Sequence, residues 1–206
     1  MSQFFHIHPD NPQGRLISQA VQIVRSGGVI VYPTDSGYAI GCGLGEKKAM
    51  DRILQIRKVS KSHNFTLVCR DLSELSTFAR VDNGSFRILK AHTPGPYTFI
   101  FKGTKEVPKR VLNEKKKTIG IRIPDNKIAL ALLEELDAPL MSTSLLLPGD
   151  EFAESDPEQI RDRLEKQVDL IIHGGYLGEK PTSVIDYSED EVKVLRIGEG
   201  DVSLFE

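Results

Sequence analysis

The sequence predicts an α/β fold, a single domain in which a mixed sheet is flanked by helices. Three observations carry this. Amphipathic helical stretches alternate with short apolar runs bounded by Gly, Pro and Asn, the marks of strands. The alternation is not strict, and the last two strand-like runs (residues 182–186 and 192–197) lie close in sequence. That spacing favours a mixed sheet over a purely parallel one. A chain of 206 residues, 39% hydrophobic and 27% charged, has the size and composition to bury one substantial core.

Residues 1–14 are polar, carry two prolines and read as an extended lead-in. Residues 16–25 set apolar side chains at 16, 17, 20, 21, 23 and 24, one helical face. Ser26-Gly27-Gly28 ends that helix, because glycine takes the left-handed cap conformation. Residues 29–32 read as a buried strand. Pro33 then turns the chain into Thr34-Asp35-Ser36 and a glycine-rich run, ahead of a helix over 46–56. Strand, glycine-rich loop and helix in that order present backbone N–H groups to a phosphate. Gly41, Gly43 and Gly45 spell neither a P-loop nor a dinucleotide fingerprint, and a tight strand-to-helix turn accounts for the same glycines.

Residues 57–64 are basic and aperiodic, a loop. A strand over 65–69 follows, then short helices over 72–79 and 85–91, split by Asp82-Asn83-Gly84. Thr93-Pro94-Gly95-Pro96 cannot be helical and leads into a strand over 97–101. Residues 102–117 hold six lysines and an arginine and read as an exposed segment. Residues 118–123 form a strand. Asp125 or Asn126 caps a helix over 128–136. The strand over 140–144 ends in small hydroxyl residues. Asp156-Pro157 opens a helix over 158–166, proline being suited to a first turn. Residues 168–172 form a strand before the closing pair.

No apolar run is long enough for a membrane helix, and no signal-peptide core follows Met1. With Cys42 and Cys69 alone, a disulfide scaffold or a cysteine zinc site is not expected, and a cytoplasmic setting is natural. Residues 1–149 carry 21 Lys and Arg against 13 Asp and Glu, net +8, whereas residues 150–206 carry 6 against 16, net −10. A basic body suits a phosphate-rich partner, although both tracts also suit solvated faces.

Four stretches set small hydroxyl or cationic groups at strand ends, where open α/β sheets bind ligands. They are Arg57-Lys58 with Lys61-Ser62-His63, Ile121-Arg122, Ser142-Thr143-Ser144, and Thr182-Ser183 with Arg196. Hydroxyls and guanidinium groups suit phosphates and carboxylates. No nucleophile elbow and no conspicuous Cys/His pair points to covalent catalysis. His63 and His92 flank candidate loops as lesser candidates. No protein metal cage is evident; magnesium would arrive with a nucleotide, through phosphates and water.

Five motifs in order, the last made of two stretches, resemble those of the Sua–YciO–YrdC family. PTDSGYAIGCGL is similar to its opening motif, Pro-Thr-Asp/Glu-Thr-x-Tyr-Gly-Leu-Gly. TPGPYTFIF resembles its Pro-Gly-Pro-x-Thr strand, IGIRIPDN its Gly-x-Arg-x-Pro strand, and PLMSTS its Pro-Leu…Thr-Ser segment. PTSVIDYS and VLRIGEG resemble its closing strands. The likeness is greatest to the YciO branch. It sets a YrdC-like domain over residues 15–200, with 1–14 as lead-in and 201–206 as tail.

The resemblance implies a twisted mixed sheet with a concave, positively charged face, and binding of double-stranded RNA or tRNA. It also implies synthesis of L-threonylcarbamoyladenylate from ATP, L-threonine and bicarbonate, for the N6-threonylcarbamoyl modification of adenosine 37 in tRNA. Threonine carbamate attacks the α-phosphate and pyrophosphate leaves. Carried over residue by residue, Thr34 and Arg122 hold the threonine end. Arg57, Ser142, Ser144, Ser183 and Arg196 hold the nucleotide, with Arg57, Lys61 and Arg196 as the catalytic cations. On this likeness Arg122→Ala removes threonine dependence and leaves the fold intact. Lys102, Lys105, Lys109, Arg110, Lys115, Lys116 and Lys117 would meet RNA phosphates, with strongly salt-dependent binding.

Two departures matter. The synthases carry Lys-x-Arg-Pro where this chain has Arg57-Lys58-Val59-Ser60, so the second cation is replaced by Val59, and Lys58 or Lys61 is left to substitute. They carry Ser-x-Asn where it has Ser144-Leu145-Leu146. Losing one preorganised donor costs about 3–4 kcal/mol. The expectation is therefore a weakened or altered nucleotidyltransferase. The alternatives are an RNA-binding protein, acting or not as a hydrolase on modified tRNA, and an α/β protein with a vestigial pocket.

Overall fold

A computed structural model describes all 206 residues. In chain order the elements are β1 (Gln3–His6), α1 (Gly14–Arg25), β2 (Ile30–Thr34), β3 (Gly37–Gly43), α2 (Lys47–Arg57), β4 (Thr66–Val68), α3 (Leu72–Phe78) and α4 (Asn83–His92). Then follow β5 (Tyr97–Lys102), β6 (Thr118–Arg122), α5 (Lys127–Leu136), β7 (Leu140–Ser144), α6 (Pro157–Leu164), β8 (Leu170–His173), β9 (Ser183–Asp186) and β10 (Lys193–Arg196). Ten strands form one mixed sheet in the order β1-β8-β2-β3-β7-β4-β6-β5-β9-β10. The closing strands pair antiparallel, consistent with a mixed sheet; a separation too short for a crossover connection allows this pairing.

Side-chain alternation along the strands divides the core. Val31, Ile40, Leu67, Phe99, Ile121 and Met141 belong to a cluster of 34 buried residues with α2, α3, α4 and α6. Ile30, Tyr32, Ala39, Val68 and Leu170 belong to a second cluster of 16, with Ile17, Val21 and Val24 of α1 and Ile128, Leu132 and Leu133 of α5. Two helices therefore cover one face and four the other. Asn126 caps α5, its side chain accepting from the Ala129 N–H at 3.0 Å. Asn126→Ala should lower stability by about 1 kcal/mol, read by urea unfolding.

The glycine-rich run is not a loop. Residues 37–43 form β3, hairpinned to β2 through Asp35-Ser36 with Thr34 opposite Gly37. Gly37 has φ +100°, which a side chain disfavours. At Gly41 a Cβ would meet Met141 O at 3.0 Å and Tyr32 at 3.2 Å, so glycine serves close strand packing there rather than a phosphate. Pro33 lies inside β2, beyond Ile30 and Val31, the two residues that β8 pairs, so its missing N–H faces no strand. The lead-in supplies β1, parallel to β8, and Val202 and Phe205 of the tail are buried in the larger cluster.

Candidate functional site

The two helices over the smaller cluster leave part of that face open. Ser142, Thr66 and Gly120 stand opposite one another on β7, β4 and β6, with Ile100 of β5 next in the row. Their alternate neighbours Met141, Leu67, Ile121 and Phe99 fill the opposite face. Small or hydroxyl side chains on the open face leave a cavity of about 440 Å³, a volume suited to a small ligand. Three arginines, Arg57, Arg122 and Arg196, and His63 line it. No aspartate or glutamate does.

Arg122 ends β6 and reaches across two intervening strands to the β2–β3 turn. Its Nη2 donates to the Asp35 carboxylate and its Nη1 to Ser36 Oγ at 2.8 Å. Asp35 also accepts from the Asp125 N–H at 2.9 Å. Arg122 is buried and its Nε has no partner. Thr34 completes the turn: its hydroxyl donates to Gly37 O at 2.6 Å and accepts from the Ser36 N–H at 3.0 Å. Thr34 and Arg122 thus line the cavity as parts of one latch. Because Arg122 is the counter-ion of a nearly buried carboxylate, Arg122→Ala is expected to cost stability as well as threonine dependence, where the sequence alone suggests an intact fold.

Arg57 is the last residue of α2. Its Nε donates to Leu146 O at 3.1 Å, and its Nη1 reaches Thr143 Oγ1 and, at 3.1 Å, His63 Nε2. No carboxylate pairs with it, and burial lowers its pKa. Val59 packs against the larger cluster, which explains an apolar residue at that position. Leu146 lines the cavity, and its carbonyl holds Arg57. Arg196, at the end of β10, donates through Nε to Thr182 O at 2.9 Å and through Nη2 to Thr182 Oγ1 at 3.0 Å. Partial desolvation of the guanidinium lowers its pKa as well, although the residue as a whole is exposed.

Of the predicted nucleotide residues, Arg57, Ser142, Ser144 and Arg196 line the cavity. The Ser142 hydroxyl is already engaged, accepting from Tyr32 OH at 2.7 Å and donating to Ile40 O at 3.3 Å. Burial pushes the Tyr32 phenol up to about 12, so it remains a donor at neutral pH. Ser144 is exposed at the end of β7. Two candidates lie elsewhere. Ser183 is fully buried, with its hydroxyl donating to Gly200 O at 2.6 Å and accepting from the Gly198 N–H at 2.9 Å. Lys61 is exposed and does not line the cavity. His63, a lesser candidate in the sequence, lines it, as do Ser36 and Thr98, which the sequence does not single out as binding residues. For the last two, hydroxyl character is the only signal the sequence offers.

The seven basic candidates of residues 102–117 are all exposed. Arg110 pairs with Asp51, and Lys116 with Glu189 at 3.4 Å. Lys102 donates to Lys116 O at 2.9 Å. Val111 within the segment and Thr118 just after it line the cavity, so the segment forms part of its rim. No helix is long and apolar enough to cross a membrane.

The family model Sua5_yciO_yrdC, described as telomere recombination, matches residues 22–198. The chain belongs to this Sua5–YciO–YrdC family. It is 69% identical over 205 residues to YciO of Escherichia coli K12, covering 100% of both chains. The crystal structure of E. coli YciO superposes with a TM-score of 0.96 over 100% of both chains. A more distant family member, the threonylcarbamoyl-AMP synthase of Nitrosococcus oceani, is 33% identical over 156 residues, 75% of this chain and 83% of that one. P. abyssi Sua5, solved with L-threonine, shares the fold with a TM-score of 0.88 at 22% identity, over 96% of this chain and 58% of that one. The open sheet face and its arginines therefore occur on a Sua5–YciO–YrdC scaffold.

Proposed function

We propose that the cavity binds a nucleotide and an L-threonine-like amino acid side by side and makes L-threonylcarbamoyladenylate, for the N6-threonylcarbamoyl modification of adenosine 37 in tRNA. The observation that carries this is the cavity lining: Arg57 and Arg196 have no carboxylate partner, whereas the charge of Arg122 is balanced by Asp35, so the two free guanidinium groups suit an anion. The relatives support it: one is named threonylcarbamoyl-AMP synthase, and a shared fold was solved with L-threonine. Arg122, Thr34 and Ser36 stand at the threonine end. Arg57, Arg196 and Ser144 stand at the phosphates.

In this reading threonine carbamate, formed from the threonine amine and bicarbonate with loss of water, attacks the α-phosphorus through a carbamate oxygen. The bond from that phosphorus to the bridging oxygen breaks, and pyrophosphate leaves. Such a reaction needs no protein nucleophile; positioning and charge neutralisation suffice. Magnesium belongs to the nucleotide, because the lining offers it no carboxylate. With Val59 and Leu146 at motif positions, the rate is lower than a synthase's. Calorimetry tests the reading: AMP should bind, and more tightly with L-threonine present. No heat with AMP, ATP or threonine, from protein of native circular dichroism, would overturn it.

A second reading, RNA binding, is favoured by the basic segment at the cavity rim. Charge reversal of Lys115, Lys116 and Lys117 together should weaken tRNA binding and reduce its salt slope by roughly 1 for each phosphate no longer neutralised. Anisotropy titrations between low and high salt would read this. An unaltered affinity and slope would leave the lysines a solvated surface.

A further inference from the structure

Val59 leaves the phosphate end one cation short of the synthase motif, yet a second titratable group stands against Arg57. His63 Nε2 lies 3.1 Å from Arg57 Nη1 and 3.0 Å from Thr143 Oγ1. A guanidinium only donates, so Nε2 is the acceptor of that bond and the ring proton sits on Nδ1. The ring packs edge-on to Phe65, with centroids 5.9 Å apart. Its surroundings are thus Arg57 from α2, the neutral Thr143 from β7 and the apolar Phe65, while Lys61 of its own loop is exposed. Burial first, and the charge of Arg57 second, hold the imidazole below its ordinary pKa. His63 is therefore neutral near pH 7 while the cavity holds no anion.

We propose that His63 is the second cation of the phosphate site, charged only when a polyphosphate is bound: the anion takes the donors of Arg57, and His63 takes a proton from solvent to become a donor itself. This rests on the nucleotide reading of the cavity. A phosphate oxygen between the two side chains replaces a repulsive charge at Nε2 with an attractive one. The bound-state pKa then lies above the free-state value. Between the two values the protonated complex is favoured as pH falls, by up to tenfold in affinity per pH unit for the one proton linked. Below the free-state value this linkage is flat, and above the bound-state value His63 contributes no charge.

The test is an NMR titration of the histidine ring protons with and without inorganic pyrophosphate, His63 being assigned from the His63→Gln spectrum. His63 should titrate below the ordinary histidine range in the free protein and about one unit or more higher with pyrophosphate. His63→Lys, with a fixed cation, should bind pyrophosphate more tightly than His63→Gln at pH 8. Pyrophosphate binding that leaves the His63 titration unmoved would overturn this inference alone. Absence of pyrophosphate binding to the wild-type protein would overturn both it and the nucleotide reading.

Discussion

Arg122→Ala should lower the unfolding free energy by about 3–5 kcal/mol, the cost of leaving a buried charge without its partner. The side chains of Arg122 and Asp35 are only 8% and 12% exposed, and beyond Arg122 the Asp35 carboxylate accepts from the Asp125 N–H. The latch also fixes the β2–β3 turn over the cavity, so threonine affinity should disappear with it. A paired change separates the two effects. Asp35→Asn with Arg122→Met removes both charges and should recover most of the lost stability without recovering threonine binding. Urea unfolding and threonine calorimetry on the three proteins read both quantities. Full stability in Arg122→Ala alone would mean that the latch does not hold the fold.

Arg57→Ala should weaken AMP binding by roughly 10- to 150-fold, the equivalent of ~1.5–3 kcal/mol for a hydrogen bond to a charged group. Its stability cost should be small beside that of Arg122→Ala, because its partners, Leu146 O, Thr143 and His63, include no carboxylate to be stranded. Arg57→Lys should restore little. A lysine is a point charge, whereas this guanidinium grips a carbonyl, a hydroxyl and an imidazole from one planar fork. Undiminished AMP affinity in Arg57→Ala would remove the phosphates from this end of the cavity.

Local signals are readable wherever local physics decides. Asn126, one of the two cap candidates, caps α5, Pro157 stands in the first turn of α6 as predicted, and the closing strands form a pair, here antiparallel, within the expected mixed sheet. The glycine-rich stretch misleads because glycine disfavours strands in general, whereas here Gly41 admits Tyr32 and Met141 at close range. Residues 3–6 give no strand signal, since their partner lies in β8, near the far end of the chain. At the site, residue type is legible and direction is not. Ser183 has the expected hydroxyl, but Gly198 and Gly200 engage it beneath the surface. The Arg122–Asp35 latch joins residues 87 apart, and no spacing rule anticipates it. His63 acquires its role from Arg57 and Thr143, the latter 80 residues away.

The most direct test of the nucleotide cavity is pyrophosphate release from ATP by the purified protein with L-threonine and bicarbonate, each omitted in turn. Release should require all three, run slower than that of a synthase and fall further in Arg57→Ala. No release above the protein-free rate, from protein that retains its cooperative unfolding transition, would contradict adenylate synthesis. The basic rim and modified tRNA, assayed without ATP, would then be the place to look.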